Sequence, residues 1–388
     1  MVFIRRKDMW RDSMKIIAYI RSSNIYDDSR ATKEITALLD EGYKVVVLGW
    51  NRDGKAEKKS KELFSKYQQR VIFQFFPVEV IGGIGIKNVK ILFLWMNWIR
   101  KTIKMLFTKH GVHAIHACNL DSALSVWNYG KKKRIKLIYD IFDYYIDSHN
   151  IPNFLHDFIE KLEINIINKA DLTIICTEER REQISKSNPK EVLVIHNSPD
   201  VIGITEVAEK YDYAYCGSLF SGRLLQEIFQ KYPSNSDLNF GIAGYGEYEG
   251  VAHLLKERYK GFSYFGAIPY NEVLRIENEA KVISAIYEPN IRNHRLCAPN
   301  KFYEALALGK PVIVCKGTGI DKIVEKYDLG VVINYDADEF YAAVRLLIRD
   351  EDKRCEIGLR ARKLYENEYR WQVMKDRLIC SYDRLVGK

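Results

Sequence analysis

Short runs rich in valine and isoleucine alternate with stretches of helical period through most of the chain. The alternation predicts an α/β fold in which helices cover parallel sheets. The first run spans 15–20 (KIIAYI) and is followed by a polar loop, a helix from 31 to 40 that closes near Gly42, and the run 44–49 (KVVVLG), together a βαβ unit. Further strands are expected at 71–76, 112–116, 136–141, 172–176 and 192–196. A second series is expected at 213–216, 238–243, 262–265, 282–287, 311–315 and 330–333, and from 336 to the end the pattern is helical. Asn197, Ser198, Pro199 and Asp200 form a turn cluster between the two series, so two α/β domains stand in succession. Residues 1–13 have no period and read as a loose leader ahead of Met14.

The stretch 299–311, PNKFYEALALGKP, carries the densest information. Pro299 suits a helix start, and Gly309 with Pro311 stops the helix before the apolar run 312–315. Lys301 falls in the first turn, where the helix dipole disfavours a cation, so an anion bound at that end would account for it. Glu304 lies one turn on, on the same face. Two readings follow: a donor-binding nucleotide site that includes Asn300, with Lys301 at phosphate and Glu304 at ribose hydroxyls, or an ordinary Lys301/Glu304 surface pair. Spacing does not choose between them.

A chain of 388 residues suits two domains, and 47% hydrophobic with 29% charged residues is globular composition. The net charge of +9 favours acidic partners without naming one. Seven widely spread cysteines with no Cys-x-x-Cys pair suit reduced thiols in a cytoplasmic protein. No apolar run is long enough to span a bilayer. No RNA-module signature is present, and no histidine or cysteine set has metal-ligand spacing, so neither nucleic acid nor metal is expected as a partner. Asp336 and Asp338 form a D-x-D, but Asp336 reads better as a helix cap. No G-x-G-x-x-G follows the first strand, and no cofactor is expected.

In open parallel sheets ligands bind at the C-terminal ends of the strands. In the second half those ends carry three glycine-bearing loops: Gly217 and Ser218 leading to Arg223, Gly244 and Gly246, and Gly317 with Thr318. Glycine admits close approach of a phosphate to the backbone, and Arg223 suits a diphosphate. Glu288 leaves another strand at the same edge, either as a sugar contact or as a solvated loop residue. In the first half His116 and Asp121 flank one strand end and Asp143 another. They suit an acceptor site or a base, with a core histidine and a helix N-terminal aspartate as the alternative readings.

These motifs resemble those of the family 4 retaining nucleotide-sugar glycosyltransferases, which have two Rossmann-like domains facing across a cleft, the GT-B arrangement. The likeness runs from Met14 through residues 42–45, 196–200, the Gly217 and Gly244 loops and 299–311 to the last helix with Trp371 and Tyr382. It implies an acceptor-binding domain at 14–198, a nucleotide-sugar-binding domain at 199–365, and a terminal helix at 366–388 that packs back on the first domain. By the same resemblance Glu304 holds ribose, Arg223 and Lys301 face the diphosphate, and transfer needs no metal. Catalytic roles are expected for Asp121, His116, Lys301 and Arg223. The sequence departs from the family pattern at Leu296, where many members carry glutamate, and at Cys118 and Phe142, where many carry histidine. A nucleotide-sugar 2-epimerase of the same plan and a non-enzymatic basic membrane-binding protein are the competing readings.

The segment 87–109 is basic and apolar by turns. Lys87, Lys90, Arg100, Lys101, Lys104 and Lys109 have no acid among them, and Trp95 and Trp98 lie on an apolar stripe. Such a helix suits either the core or an anionic membrane surface with the tryptophans at the lipid boundary, which would fit a lipid-linked saccharide acceptor.

Overall fold

Both series of apolar runs form parallel sheets. In the computed structural model, which describes residues 14–79, 86–133, 135–149, 151–200 and 207–387, the first series gives β1 (Ile16–Ile20), β2 (Lys44–Trp50), β3 (Val71–Phe76), β4 (Ala114–Cys118), β5 (Lys136–Asp140), β6 (Leu172–Ile175) and β7 (Val192–Val194). The leader 1–13 lies outside the described residues. The strands order as β3-β2-β1-β4-β5-β6-β7. The second series gives β8 (Tyr211–Cys216), β9 (Phe240–Ala243), β10 (Phe262–Tyr264), β11 (Ala280–Ala285), β12 (Val312–Cys315) and β13 (Gly330–Ile333), ordered β10-β9-β8-β11-β12-β13. Every expected strand is present, several displaced by a residue or two at an end. In each sheet the order reverses beside the first strand, between β1 and β4 and between β8 and β11. That reversal is where open α/β sheets leave a ligand crevice.

The helical tail is broken into Ala337–Arg349, Glu351–Leu364 and Trp371–Val386. Asp336 caps the first piece, its Oδ1 accepting from the N–H groups of Asp338 and Glu339 at 2.8 and 3.0 Å. Asp350 caps the second in the same way, accepting from Lys353 N at 2.9 Å.

The chain divides into one unit of residues up to Ile195 together with those from Lys375, and a second unit, His196–Met374. The end of the last helix therefore belongs to the first unit. There Lys375 lies 3.6 Å from Asp40 and from Glu41, and the Tyr43 hydroxyl donates to Asp383 at 2.6 Å.

The first unit's apolar core joins Ile16, Ala18 and Ile20 of β1 with Ile115 and Ala117 of β4 and with Trp95, Ile99, Ile103 and Leu106 of the helix Ile86–His110. Alternation sends the other side chains of these strands to the opposite face. On that face Tyr19, His116 and Asp140 meet Arg30 and Glu34 of the helix Ser29–Asp40, and Tyr382 of the last helix. Arg30 holds Asp140 at 2.5 Å and Glu34 at 3.0 Å, and Tyr19 donates to Glu34 at 2.7 Å. Fully buried charges persist only where such partners satisfy them.

A second buried carboxyl lies in the same unit. Glu163 of the helix Asn153–Lys169 accepts from the Tyr139 hydroxyl at 2.6 Å and from Tyr145 N at 3.1 Å. Burial pushes it up to about 8. An acid raised in the folded state contributes stability that is fully present below its unfolded value and is lost as pH rises through the folded one. Thermal melting of the wild type at pH 6 and pH 9 is therefore expected to show a larger fall than melting of Glu163→Gln, by about 2–4 °C. Equal falls in the two proteins would show that Glu163 is not the titrating group.

Candidate functional site

In the second unit the strand ends of β8, β9, β11 and β12 carry the loops singled out by sequence. The helix Asn300–Leu308 starts after Pro299 and closes at Gly309, whose φ of 63° is the left-handed cap conformation that glycine adopts without strain. Its first turn places the Lys301 ammonium 5.0 Å from the centre of the Tyr215 ring. The ammonium also lies against Gly217, where a Cβ would stand 2.3 Å from Nζ. Among the described residues no side chain or carbonyl accepts a hydrogen bond from Lys301. Burial opposes its charge, but Tyr215, Glu304 and Tyr287 outweigh burial and its pKa is raised. A charged, half-buried lysine at a helix N-terminus is a site for an anion.

One turn on, Glu304 is 3% exposed and its Oε1 accepts from the Tyr270 hydroxyl at 3.0 Å. Glu277, at the end of the helix Tyr270–Asn278, is fully buried and neither of its carboxyl oxygens has a hydrogen-bond partner. Burial, with Glu304 beside it, pushes Glu277 well above the usual carboxylate range. Of the two carboxyl groups, Glu304 acts more strongly on Lys301. Tyr215, Tyr270 and Glu277 were not singled out by sequence. Strand and helix residues that reach a ligand edge have the same periodic signature as those that only pack.

Arg223 follows the β8 loop. Its guanidinium carbon sits 4.0 Å from the centre of the Tyr287 ring, and Nη1 donates to Gly222 O at 3.2 Å and meets His294 Nε2 at 2.9 Å. Burial pushes the Tyr287 hydroxyl up to about 12 against the opposing pull of Lys301 and Arg223, so both cations act on this tyrosine. Glu288 follows Tyr287, and its N–H donates to Gly222 O at 3.0 Å, which ties the loop after β11 to the loop after β8.

The β8 and β9 loops pack backbone on backbone. Gly217 N donates to Ala243 O at 2.9 Å and Leu219 N to Tyr245 O at 2.8 Å. Gly244 has φ 140°, and a Cβ there would lie 1.7 Å from Gly217 O, so no other residue fits without moving the Gly217 and Ser218 turn. Gly246 N donates to Glu249 Oε1 at 2.8 Å. These two glycines shape the Gly217–Leu219 turn, since a Cβ at either would meet its backbone. Gly317 and Thr318 donate within their own loop. Gly317 N donates to Asp321 Oδ2 at 2.7 Å, and the fully buried Thr318 hydroxyl donates to Cys315 O at 2.6 Å. Both donors are engaged in closing their own loop. Asn300 is exposed at the start of its helix.

The first-half candidates divide. His116 is fully buried, with Nδ1 2.6 Å from the Tyr382 hydroxyl and Nε2 3.2 Å from Asp140 Oδ2. It sits in mid-β4 with its ring turned into the polar network, so the expected catalytic role is corrected to a core one. The donor atoms of His116, Cys118 and Asp140 lie within 4.8 Å of one another. Arg30 already supplies the cation there, and burial, with Asp140, pushes the Cys118 thiol well up, a poor donor set for an ion. Asp121 is buried in the first turn of the helix Asn119–Lys133, and Asp143 Oδ1 lies 3.6 Å from Arg180 Nη2.

On the basic helix Ile86–His110, Lys90, Arg100, Lys101 and Lys104 are exposed. Neither tryptophan is fully exposed. Trp95 is fully buried, its ring 5.3 Å from Trp50 and 5.4 Å from Trp98, and Trp98 packs partly buried beside Phe76. The exposed apolar residues of this helix are instead Phe93 (66%), Leu94 (55%) and Met105 (41%). The side chains of Lys87 and Lys109 lie outside the description. No helix among the described residues is long and apolar enough to cross a membrane.

Residues 223–379 match the family described as "Glycosyl transferase-like". The whole chain is similar in structure to a sucrose-phosphate synthase from Thermosynechococcus elongatus, at 14% identity and TM-score 0.70 over 96% of this chain and 99% of that one. It is also similar to Anabaena HepE, solved in complex with UDP and glucose, at 14% identity and TM-score 0.67 over 95% and 100% of the two chains. A lipopolysaccharide outer core galactosyltransferase matches at 14% identity and TM-score 0.64 over 95% and 100%. No curated protein matches by sequence. The chain thus carries a glycosyl transferase-like domain at 223–379 on a fold of two parallel-sheet Rossmann-like domains shared with the GT-B glycosyltransferases.

Proposed function

We propose that this protein transfers a sugar from a nucleoside-diphosphate sugar to a saccharide or lipid-linked acceptor, with retention and without a metal, as a family 4 enzyme. The second unit binds the donor and the first unit the acceptor. The observation that carries this reading is the Lys301 ammonium, held charged at the start of the helix Asn300–Leu308 with no hydrogen-bond acceptor among the described residues, one turn from buried Glu304. A diphosphate supplies the missing acceptors and a ribose hydroxyl pair suits the carboxylate.

When the bond from the sugar's anomeric carbon to the diphosphate breaks, negative charge grows on the leaving oxygen. Lys301, Arg223 and the helix N–H groups stabilise that charge, which favours the transition state over the bound donor. The acceptor oxygen forms its bond to the anomeric carbon on the same face and passes its proton to the leaving phosphate. No strong side-chain base is needed, which agrees with His116 being engaged in the core.

Nucleotide sugars should raise the melting temperature, since a ligand that binds the folded state stabilises it. Glu304→Ala should abolish the shift while the protein stays folded, and an undiminished shift would remove Glu304 from the donor site. Lys301→Ala should lower kcat by about 100-fold or more, the size of loss seen when a group stabilising developing negative charge is removed. An unaltered kcat would make Lys301 a surface residue. Turnover should persist in EDTA, and a loss restored by magnesium would contradict the metal-free scheme.

We place the acceptor's lipid at an anionic bilayer on the cytoplasmic side. The contact is made by Phe93, Leu94 and Met105 inside a rim of Lys90, Arg100, Lys101 and Lys104, a role that sequence had given to the tryptophans. Sedimentation with liposomes should rise with anionic lipid and fall with salt. Replacing Lys101 and Lys104 by glutamate should remove the binding, and unchanged sedimentation would leave the helix with a core role alone.

A further inference from the structure

The β11 strand ends at Ala285, and the loop beyond it brings two side chains against Arg223. The Arg223 guanidinium carbon lies over the Tyr287 ring at 4.0 Å, and His294, in the short turn Arg292–His294, faces Nη1 at 2.9 Å. The two rings also meet each other edge-on at 5.3 Å. The contact between Arg223 and His294 has one workable chemistry. A guanidinium only donates, so Nε2 must accept with its lone pair, and the imidazole is neutral with its proton on Nδ1.

The surroundings enforce that state. Burial, and then the adjacent Arg223 charge, lower the His294 pKa to about 4, so the ring stays an acceptor at neutral pH. With Nη1 engaged by His294 and Gly222 O, the guanidinium is fixed at one corner, and Nε and Nη2 have no partner among the described residues. An arginine stem otherwise samples many rotamers, and ordering it on a ligand costs entropy. Here the ring below and the acceptor at one corner set the plane of the fork in advance.

We propose that His294 and Tyr287 are positioning residues that aim Arg223 at the diphosphate of the donor, acting through Arg223 and making no contact with the sugar themselves. The proposal rests on the donor site described under Proposed function and adds how its cation is oriented. The sequence singled out only Glu288 in this loop, because a histidine in a loop has no period to betray its partner.

Inorganic pyrophosphate isolates the diphosphate contact from the unknown base and sugar, and calorimetry with it provides the test. His294→Leu should weaken pyrophosphate binding about tenfold, the loss of one charge-assisted hydrogen bond's worth of orientation. His294→Gln, which keeps an acceptor near the Nε2 position, should stay within about threefold of wild type. Tyr287→Phe, which keeps the ring, should bind as wild type, and Tyr287→Leu should weaken binding. In an Arg223→Ala background His294→Leu should cause no further loss, since a residue that acts only through Arg223 has nothing left to orient. A general packing role would instead give the same loss in both backgrounds and no rescue by glutamine.

Wild-type affinity in His294→Leu, or an undiminished effect without Arg223, overturns the inference while leaving the donor reading intact. If His294→Leu does not fold, the Tyr287→Leu and Tyr287→Phe pair in the two Arg223 backgrounds decides in the same way. If the wild-type protein turns over no nucleotide sugar and binds no pyrophosphate, the donor reading falls and this inference with it.

Discussion

The second unit depends on keeping a lysine charged in a place where nothing among the described residues hydrogen-bonds it. Taking an ammonium out of water is costly unless something answers the charge. Around Lys301 the answers are indirect: the face of Tyr215, the Glu304 carboxylate, and the space beside Gly217 that lets the ammonium sit against the backbone. Each answer constrains other residues. The Gly217 turn holds its path only because Gly244 has no side chain, and burial, with Glu304 beside it, pushes Glu277 well above the usual carboxylate range. The charge is thus partly compensated and its hydrogen-bonding capacity left open, the condition for binding an anion.

The first unit handles buried charge in the opposite way. Arg30, Glu34, Asp140, His116, Tyr19 and Tyr382 form a closed set in which most polar groups meet partners within the set. Burial, with Asp140 close by, pushes Glu34 up, while Arg30 opposes the shift. Because Tyr382 belongs to the last helix, this set also fixes the end of the chain to the strands it began with. A histidine at a strand end suited chemistry in the sequence, and in the fold its two ring nitrogens meet Tyr382 and Asp140.

That contrast marks what the sequence could and could not reveal. Strand runs of valine and isoleucine and the Pro299 to Pro311 helix-to-strand signal are local, so the elements and the parallel α/β class were legible. Lys301 was legible as a candidate because a cation at a helix start breaks a local rule. Which glycine loops reach a ligand was not. Gly317 and Thr318 look like Gly217 and Ser218 in sequence, and only the Asp321 carboxylate, four residues on, closes the first pair on itself. Trp95 and Phe93 belong to one apolar run, and a step of two residues along a helix turns one into the core and the other into solvent. His294 required a tertiary contact with a residue 71 positions away.

The account turns on Lys301 meeting a diphosphate. The affinities of nucleoside, nucleoside monophosphate and nucleoside diphosphate for wild type and Lys301→Ala, measured by calorimetry in the uridine, adenosine and guanosine series, test this most directly. In the series that binds, the account predicts a clear gain in wild type on adding the second phosphate, and loss of most of that gain in Lys301→Ala with nucleoside affinity unchanged. A gain of equal size in both proteins would contradict it.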